Sequence, residues 1–229
     1  MDSSTQRGAI WKFHFLILTL TFCAFGWGQT QSPLPSVSFS LDFPGSTPAH
    51  YGITVSSDGH ASYVSDGTTT GGASSDQPYT SDFTISQATA NRVFELTKQA
   101  DYFQGKLDTK KKNIASTGDK TLLYNDGQRS TVGSYNYSSS AAVQELTKIF
   151  ENLSATLEFG HRLEYGYRYQ KLALDQETKA MEDMANRGAL IELGAIAPIL
   201  HQIADDPSVV NVARARILRL LDHAGPASK

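Results

Sequence analysis

The chain has 229 residues, with 20 Lys and Arg against 23 Asp and Glu, for a formal charge of −3. That mild acidity gives no electrostatic footprint for nucleic acid, and the length suffices for one hydrophobic core with or without a smaller appendage. The lone cysteine, Cys23, falls in an apolar N-terminal run, so the chain beyond it is excluded from disulfides, thiolate catalysis, iron–sulfur clusters and cysteine zinc sites.

Arg7 and Lys12 outnumber Asp2 ahead of the apolar stretch 13–27. That stretch is shorter than the ~20 residues a bilayer-spanning helix needs, which fits the apolar region of a secretory signal. Small residues Ala24, Gly26 and Gly28 follow at peptidase spacing, and cleavage between Gly28 and Gln29 leaves a polar start. Residues 1–28 are therefore read as a signal peptide, and the mature chain as secreted or periplasmic; an uncleaved membrane anchor is the alternative. No second apolar segment of spanning length follows.

From Ser36 to Phe43 the chain alternates, with Val37, Phe39, Leu41 and Phe43 on one side, which is the period of a half-buried strand. A second strand near 50–57 runs into Asp58-Gly59, a hairpin signal. A two-residue turn there sets Ile53 opposite Val64 and Val55 opposite Ser62, burying Ile53, Val55 and Val64 and leaving Ala61 and Tyr63 outside. Residues 65–83, rich in Gly, Ser and Thr, read as a long mobile loop. A helix follows, capped by Thr84 with Gln87 or by Ser86, with Val93, Leu96, Ala100 and Phe103 as its apolar stripe and Gly105 as its stop.

After a polar connector carrying Lys110, Lys111 and Lys112, strands near 120–124 and 129–135 flank the turn Asn125-Asp126-Gly127. Ser138–Ser140 cap a helix with Val143, Leu146, Phe150 and Leu153 on one face. The fold class is α+β: an antiparallel sheet of about five strands covered by two helices over residues 34–158, followed by a helical segment over 161–225. Tyr165, Tyr167 and Tyr169 alternate around Gly166 as a short sixth strand or the frayed start of a helix, and a helical pattern runs from Leu172 to Asn186.

The stretch from Ile191 through Pro198 and Leu200 to Asp205-Asp206-Pro207, Val209, Ala213 and Ile217 resembles a single armadillo or HEAT-type helical repeat, over residues 189–222. Gly194 permits a sharp turn, Pro198 falls in a first helical turn, Ser208 is placed to cap the last helix, and Val209, Ala213, Ile217 and Leu220 form its inward stripe. One unit does not make a solenoid. The resemblance implies a docked hairpin or a contact surface for a protein partner or a second copy of the chain. The N-terminal part, through Ile53, Val55, Asp58-Gly59 and Tyr63 and the helix from Ser86 to Phe103, resembles secreted bacterial α+β domains of unknown function, which carry over no site.

The six histidines show no ligand spacing, and phosphate-loop, calcium-loop and serine-nucleophile motifs are absent from the sequence. No catalytic, metal or cofactor-binding residue is therefore assigned. Tyr135, Tyr137, Tyr165, Tyr167 and Tyr169 could form an aromatic platform for a sugar or peptide. The expectation is an exported, cofactor-free, non-catalytic protein that binds or assembles through its C-terminal helices, without nucleic acid or membrane as partner. A hydrolase of envelope carbohydrate or peptide and a structural envelope protein are the alternatives.

Overall fold

A computed structural model describes residues 33–66, 78–109 and 115–224, all within one compact unit. The cleavage site at Gly28 and Gln29, most of the expected mobile loop (67–77) and Lys110 to Lys112 lie outside the described residues. Strand β1 (Ser36–Asp42) has Val37 and Phe39 buried, as its alternation requires. It pairs antiparallel with both β2 (His50–Ser56) and β5 (Asp119–Asn125), which places it inside the sheet. With β3 (His60–Ser65), β4 (Tyr79–Thr84) and β6 (Ser130–Tyr135) the order is β4-β3-β2-β1-β5-β6.

The sheet thus has six strands where about five are expected. The sixth is β4, in a segment that reads as loop, and not the tyrosine stretch 165–169. Only Phe83 of β4 is buried on an edge whose other residues are mostly polar, so its alternation carries too few apolar side chains to show. The β2–β3 register also differs from expectation. Three residues, 57–59, connect the strands, with Gly59 at φ +87°, and Ile53 faces Tyr63 while Val55 faces Ala61. One extra turn residue exchanges the two faces of the following strand, so Ala61 and Tyr63 are buried and Val64 is 48% exposed.

Helix α1 (Gln87–Gln99) starts at Ser86, whose hydroxyl accepts from the Thr89 N–H at 3.2 Å. It stops short of the expected end at Gly105, because residues Asp101–Phe103 turn left-handed (φ 49°, 51° and 65°) and deliver Phe103 to the core from outside the helix. Helix α2 (Ala141–Tyr169) is 29 residues long, about 43 Å, and with α1 it covers one face of the sheet. The expected division between 158 and 161 falls inside this helix. Its first half buries Val143, Leu146, Phe150 and Leu153 under the sheet; its second half buries Leu163 and Gly166 among the C-terminal helices.

Those helices are α3 (Leu174–Asn186), α4 (Ala197–Asp205) and α5 (Asn211–Ala224). Pro198 lies in the first turn of α4, and Val209, Ala213, Ile217 and Leu220 are buried as the repeat-like pattern requires. Two local details differ from expectation. The left-handed residue before α4 is Glu192 (φ 53°), not Gly194, and α5 begins at Asn211, so Ser208 is not its cap. Ser208 instead holds the α4–α5 turn, its N–H donating to Asp206 Oδ1 at 2.8 Å and its hydroxyl accepting from Lys171 Nζ at 2.7 Å. Gly160 lets α2 approach this layer: a Cβ there would stand 2.5 Å from Ile196 Cγ2.

Candidate functional site

The five tyrosines do not assemble into a platform. Tyr135 is buried against α2, where it pairs with Thr147 Oγ1 at 2.6 Å and burial pushes its phenol up. Tyr137 is partly exposed and accepts from Gln144 Nε2 at 3.3 Å. Gln144 and Tyr165 are separated by about 32 Å of helix. At that far end Tyr165 and Tyr169 pack together, ring centroids 5.0 Å apart. Tyr167 points to another side of the helix, with Lys171 Nζ 4.8 Å from its ring centre and the Asp206 carboxylate raising its phenol through a hydrogen bond.

A cleft of about 250 Å³ opens between the β1–β2 connection, α2 and Met184 of α3. Beside Ser46 and Thr47 of that connection, its polar lining is Tyr51 with the α2 residues Glu151, Ser154, Glu158 and Arg162. These residues are placed by period alone: positions 151, 154, 158 and 162 recur every three or four residues on one face of α2, and Tyr51 projects toward the same helix from β2. Glu158 is 3% exposed, and its Oε1 accepts from the Tyr63 hydroxyl and the Ser65 hydroxyl, each at 2.7 Å. The hydroxyls of Tyr63 and Ser154 are paired at 3.0 Å, and Arg162 Nε donates to Glu177 at 3.0 Å.

The electrostatics favour hydrogen bonding over proton transfer. Burial, then the neighbouring carboxylates Glu151 and Glu158, push the Tyr51 and Tyr63 phenols well above their usual range. Neither phenol is a base at neutral pH, so Ser154 has no activating partner in Tyr63. His161 stacks on Tyr79 with centroids 4.1 Å apart; burial pushes its imidazole down and, with smaller effects, the Tyr79 phenol up to about 12. Burial raises the Glu151 carboxyl, opposed by Lys120. Among the described residues no group of three or more His, Cys, Asp or Glu could hold a metal ion.

A different surface stands out for its apolar exposure. Nine large hydrophobic side chains are exposed among the described residues, and five of them (Tyr169, Leu172, Val210, Val212 and Leu218) lie in the last 61 residues of the chain. Hydrogen bonds from Lys171 Nζ to Asp206 and Ser208 hold Leu172 near the α4–α5 turn that carries Val210. No helix among the described residues is long and apolar enough to cross a membrane.

Neither a known protein family nor a curated protein matches this chain. The site is therefore read from its own geometry.

The residues that sequence reasoning missed are polar. Glu158 shares its helix face with Glu151, Ser154 and Arg162, a polar pattern that normally signals solvent. Its partners Tyr63 and Ser65 come from a strand whose inward face depends on the length of one turn.

Proposed function

We propose that this is an exported, non-catalytic protein that binds or assembles through its C-terminal helical layer. The observation that supports this reading is that five of the nine exposed large hydrophobic side chains among the described residues belong to this C-terminal part of the chain. The N-terminal basic residues and the apolar stretch 13–27 support export.

A photo-crosslinking amino acid at Leu172, Val212 or Leu218 is expected to yield adducts in the producing cell, and at Val64 or Val132 on the sheet none. Adducts from the sheet positions alone would overturn the reading. The intact mass of protein recovered from periplasm or medium is expected to correspond to a chain starting at Gln29. The cleft with Glu151, Ser154 and Glu158 favours a second reading, a hydrolase of envelope carbohydrate or peptide. Glycan or peptide turnover abolished by Ser154→Ala with the fold intact would establish that reading instead.

A further inference from the structure

We propose that the cleft between α2, the β1–β2 connection and α3 binds a small primary ammonium ion, held by the Glu151 carboxylate and the Tyr51 oxygen, with its alkyl body against Leu41, Pro48 and Met184. This goes beyond the reading of the C-terminal layer as a contact surface and does not depend on it. At about 250 Å³ the cleft lies just below the ~300–1,000 Å³ usual for ligand pockets, so its occupant is small. The polar wall is firmly built: Tyr51, Ser154 and Glu158 are 7%, 4% and 3% exposed.

Hydrogen-bond direction decides what that wall can hold. Glu158 is a carboxylate and only accepts, here from the Tyr63 and Ser65 hydroxyls at 2.7 Å each. A hydroxyl has a single proton to donate. Tyr63 donates its own to Glu158, so in the 3.0 Å pair with Ser154 the donor is Ser154. Tyr51 is hydrogen-bonded to Ser154 in turn and must donate there, which leaves its oxygen with lone pairs alone. Bonds aligned in one direction polarise one another, and a hydroxyl that donates becomes the better acceptor. Ser46 donates to the Phe43 and Pro48 carbonyls at 2.8 and 2.7 Å, so it too offers lone pairs.

The charge of the cleft is also unmatched. Glu151 is exposed, accepts no hydrogen bond among the described residues, and stands close enough to Tyr51 to raise its phenol. Lys120 attracts Glu151, but the N–H groups of that ammonium donate to the Thr117 carbonyl, the Thr117 hydroxyl and the Asn136 carbonyl. Arg162, the one cation among the described lining residues, is bound by Glu177 at 3.0 Å and lies 4.3 Å from the Phe159 ring centre. An ammonium carries three donors and no acceptor, so it meets a carboxylate and lone pairs without leaving a group unpaired. An anionic ligand would face acceptors of its own kind there.

Isothermal titration of the protein with pentylamine hydrochloride is expected to show one saturable site. Pentan-1-ol keeps the alkyl body without the charge, and pentyltrimethylammonium keeps the charge without an N–H. Each is expected to bind at least about tenfold more weakly, the cost of losing a hydrogen bond to a charged group. Glu151→Gln and Tyr51→Phe are each expected to weaken pentylamine binding by about the same factor with the circular dichroism spectrum unchanged. Glu164→Gln, at an exposed carboxylate of the same helix outside the cleft, is expected to leave it unchanged. Nα-acetyl-lysinamide binding as tightly as pentylamine would place the ammonium on a lysine side chain, and weaker binding would make it a free amine; both outcomes support the site. Equal binding of pentyltrimethylammonium, an equal loss in Glu164→Gln, or no saturable binding of pentylamine would overturn the proposal and leave the C-terminal contact surface standing.

Discussion

Glu192 caps the first helix of the sheet domain from the far end of the chain. Its carboxylate accepts from the Ser86 N–H at 2.9 Å and the Ser86 hydroxyl at 2.7 Å, and also from the Thr89 hydroxyl. The first turn of α1 has no acidic residue of its own, so this distant carboxylate supplies the negative charge that a helix N-terminus favours. The backbone at Glu192 is left-handed, a conformation that costs a side-chain-bearing residue roughly 1–2 kcal/mol.

Removing that carboxylate leaves several donors unpaired. Glu192→Ala is expected to destabilise by about 2 kcal/mol and Ser86→Ala by about 1 kcal/mol. The double variant is expected to lose less than the sum, because the two act on one another. Urea unfolding of all four proteins measures the coupling, and strict additivity would refute the cap.

Gly160→Ala is expected to destabilise by roughly 1–2 kcal/mol although alanine is the better helix former, since its Cβ meets Ile196 Cγ2 at 2.5 Å. The penalty is expected to shrink in an Ile196→Ala background, where Cγ2 is gone and only the Cβ of residue 196, at 3.1 Å, stays close. Thermal unfolding of the four proteins decides it.

A chain ending at residue 160 is expected not to fold cooperatively. It cuts α2 through its middle and removes Glu192 from α1. Thr156 also loses its hydroxyl bond to the Ile191 carbonyl at 2.8 Å. A sigmoidal urea transition for that fragment would show the sheet domain to be independent.

Acid is expected to weaken the tie between α2 and the α4–α5 turn. The Lys171 ammonium, then Ser208, hold the Asp206 carboxyl well below the usual carboxylate range. The unfolded chain binds the proton more readily, so the contact stabilises fully above the unfolded value of about 3.9 and is lost as pH falls through the lower folded value. Wild type is therefore expected to lose more stability than Asp206→Asn between about pH 5 and about pH 2. Equal losses by urea midpoint would remove Asp206 from the account.

Tyr63→Phe is expected to cost about 1–1.5 kcal/mol by removing the bonds to Glu158 and Ser154. Glu158→Ala is expected to cost more, because it removes the acceptor shared by two buried hydroxyls, Tyr63 and Ser65. Urea midpoints of the two variants give the order.

By itself the amino-acid sequence determined the elements whose periodicity is strong: β1 from Val37, Phe39 and Leu41, the core face of α2 from Val143 to Leu153, and the inward stripe of α5. Local patterns specify these because each apolar side chain repeats at its element's own period. Tertiary structure decided what depends on partners far away in the chain. It set the β2–β3 faces through one turn residue, made a strand of residues 79–84 by pairing them with β3, and carried α2 past Gly160 by seating Ile196 there. It also joined Glu158 to Tyr63 and Glu192 to Ser86, over sequence separations of 95 and 106 residues. Such polar contacts leave no periodic trace, since a lone carboxylate looks the same in sequence whether it meets water or a buried hydroxyl.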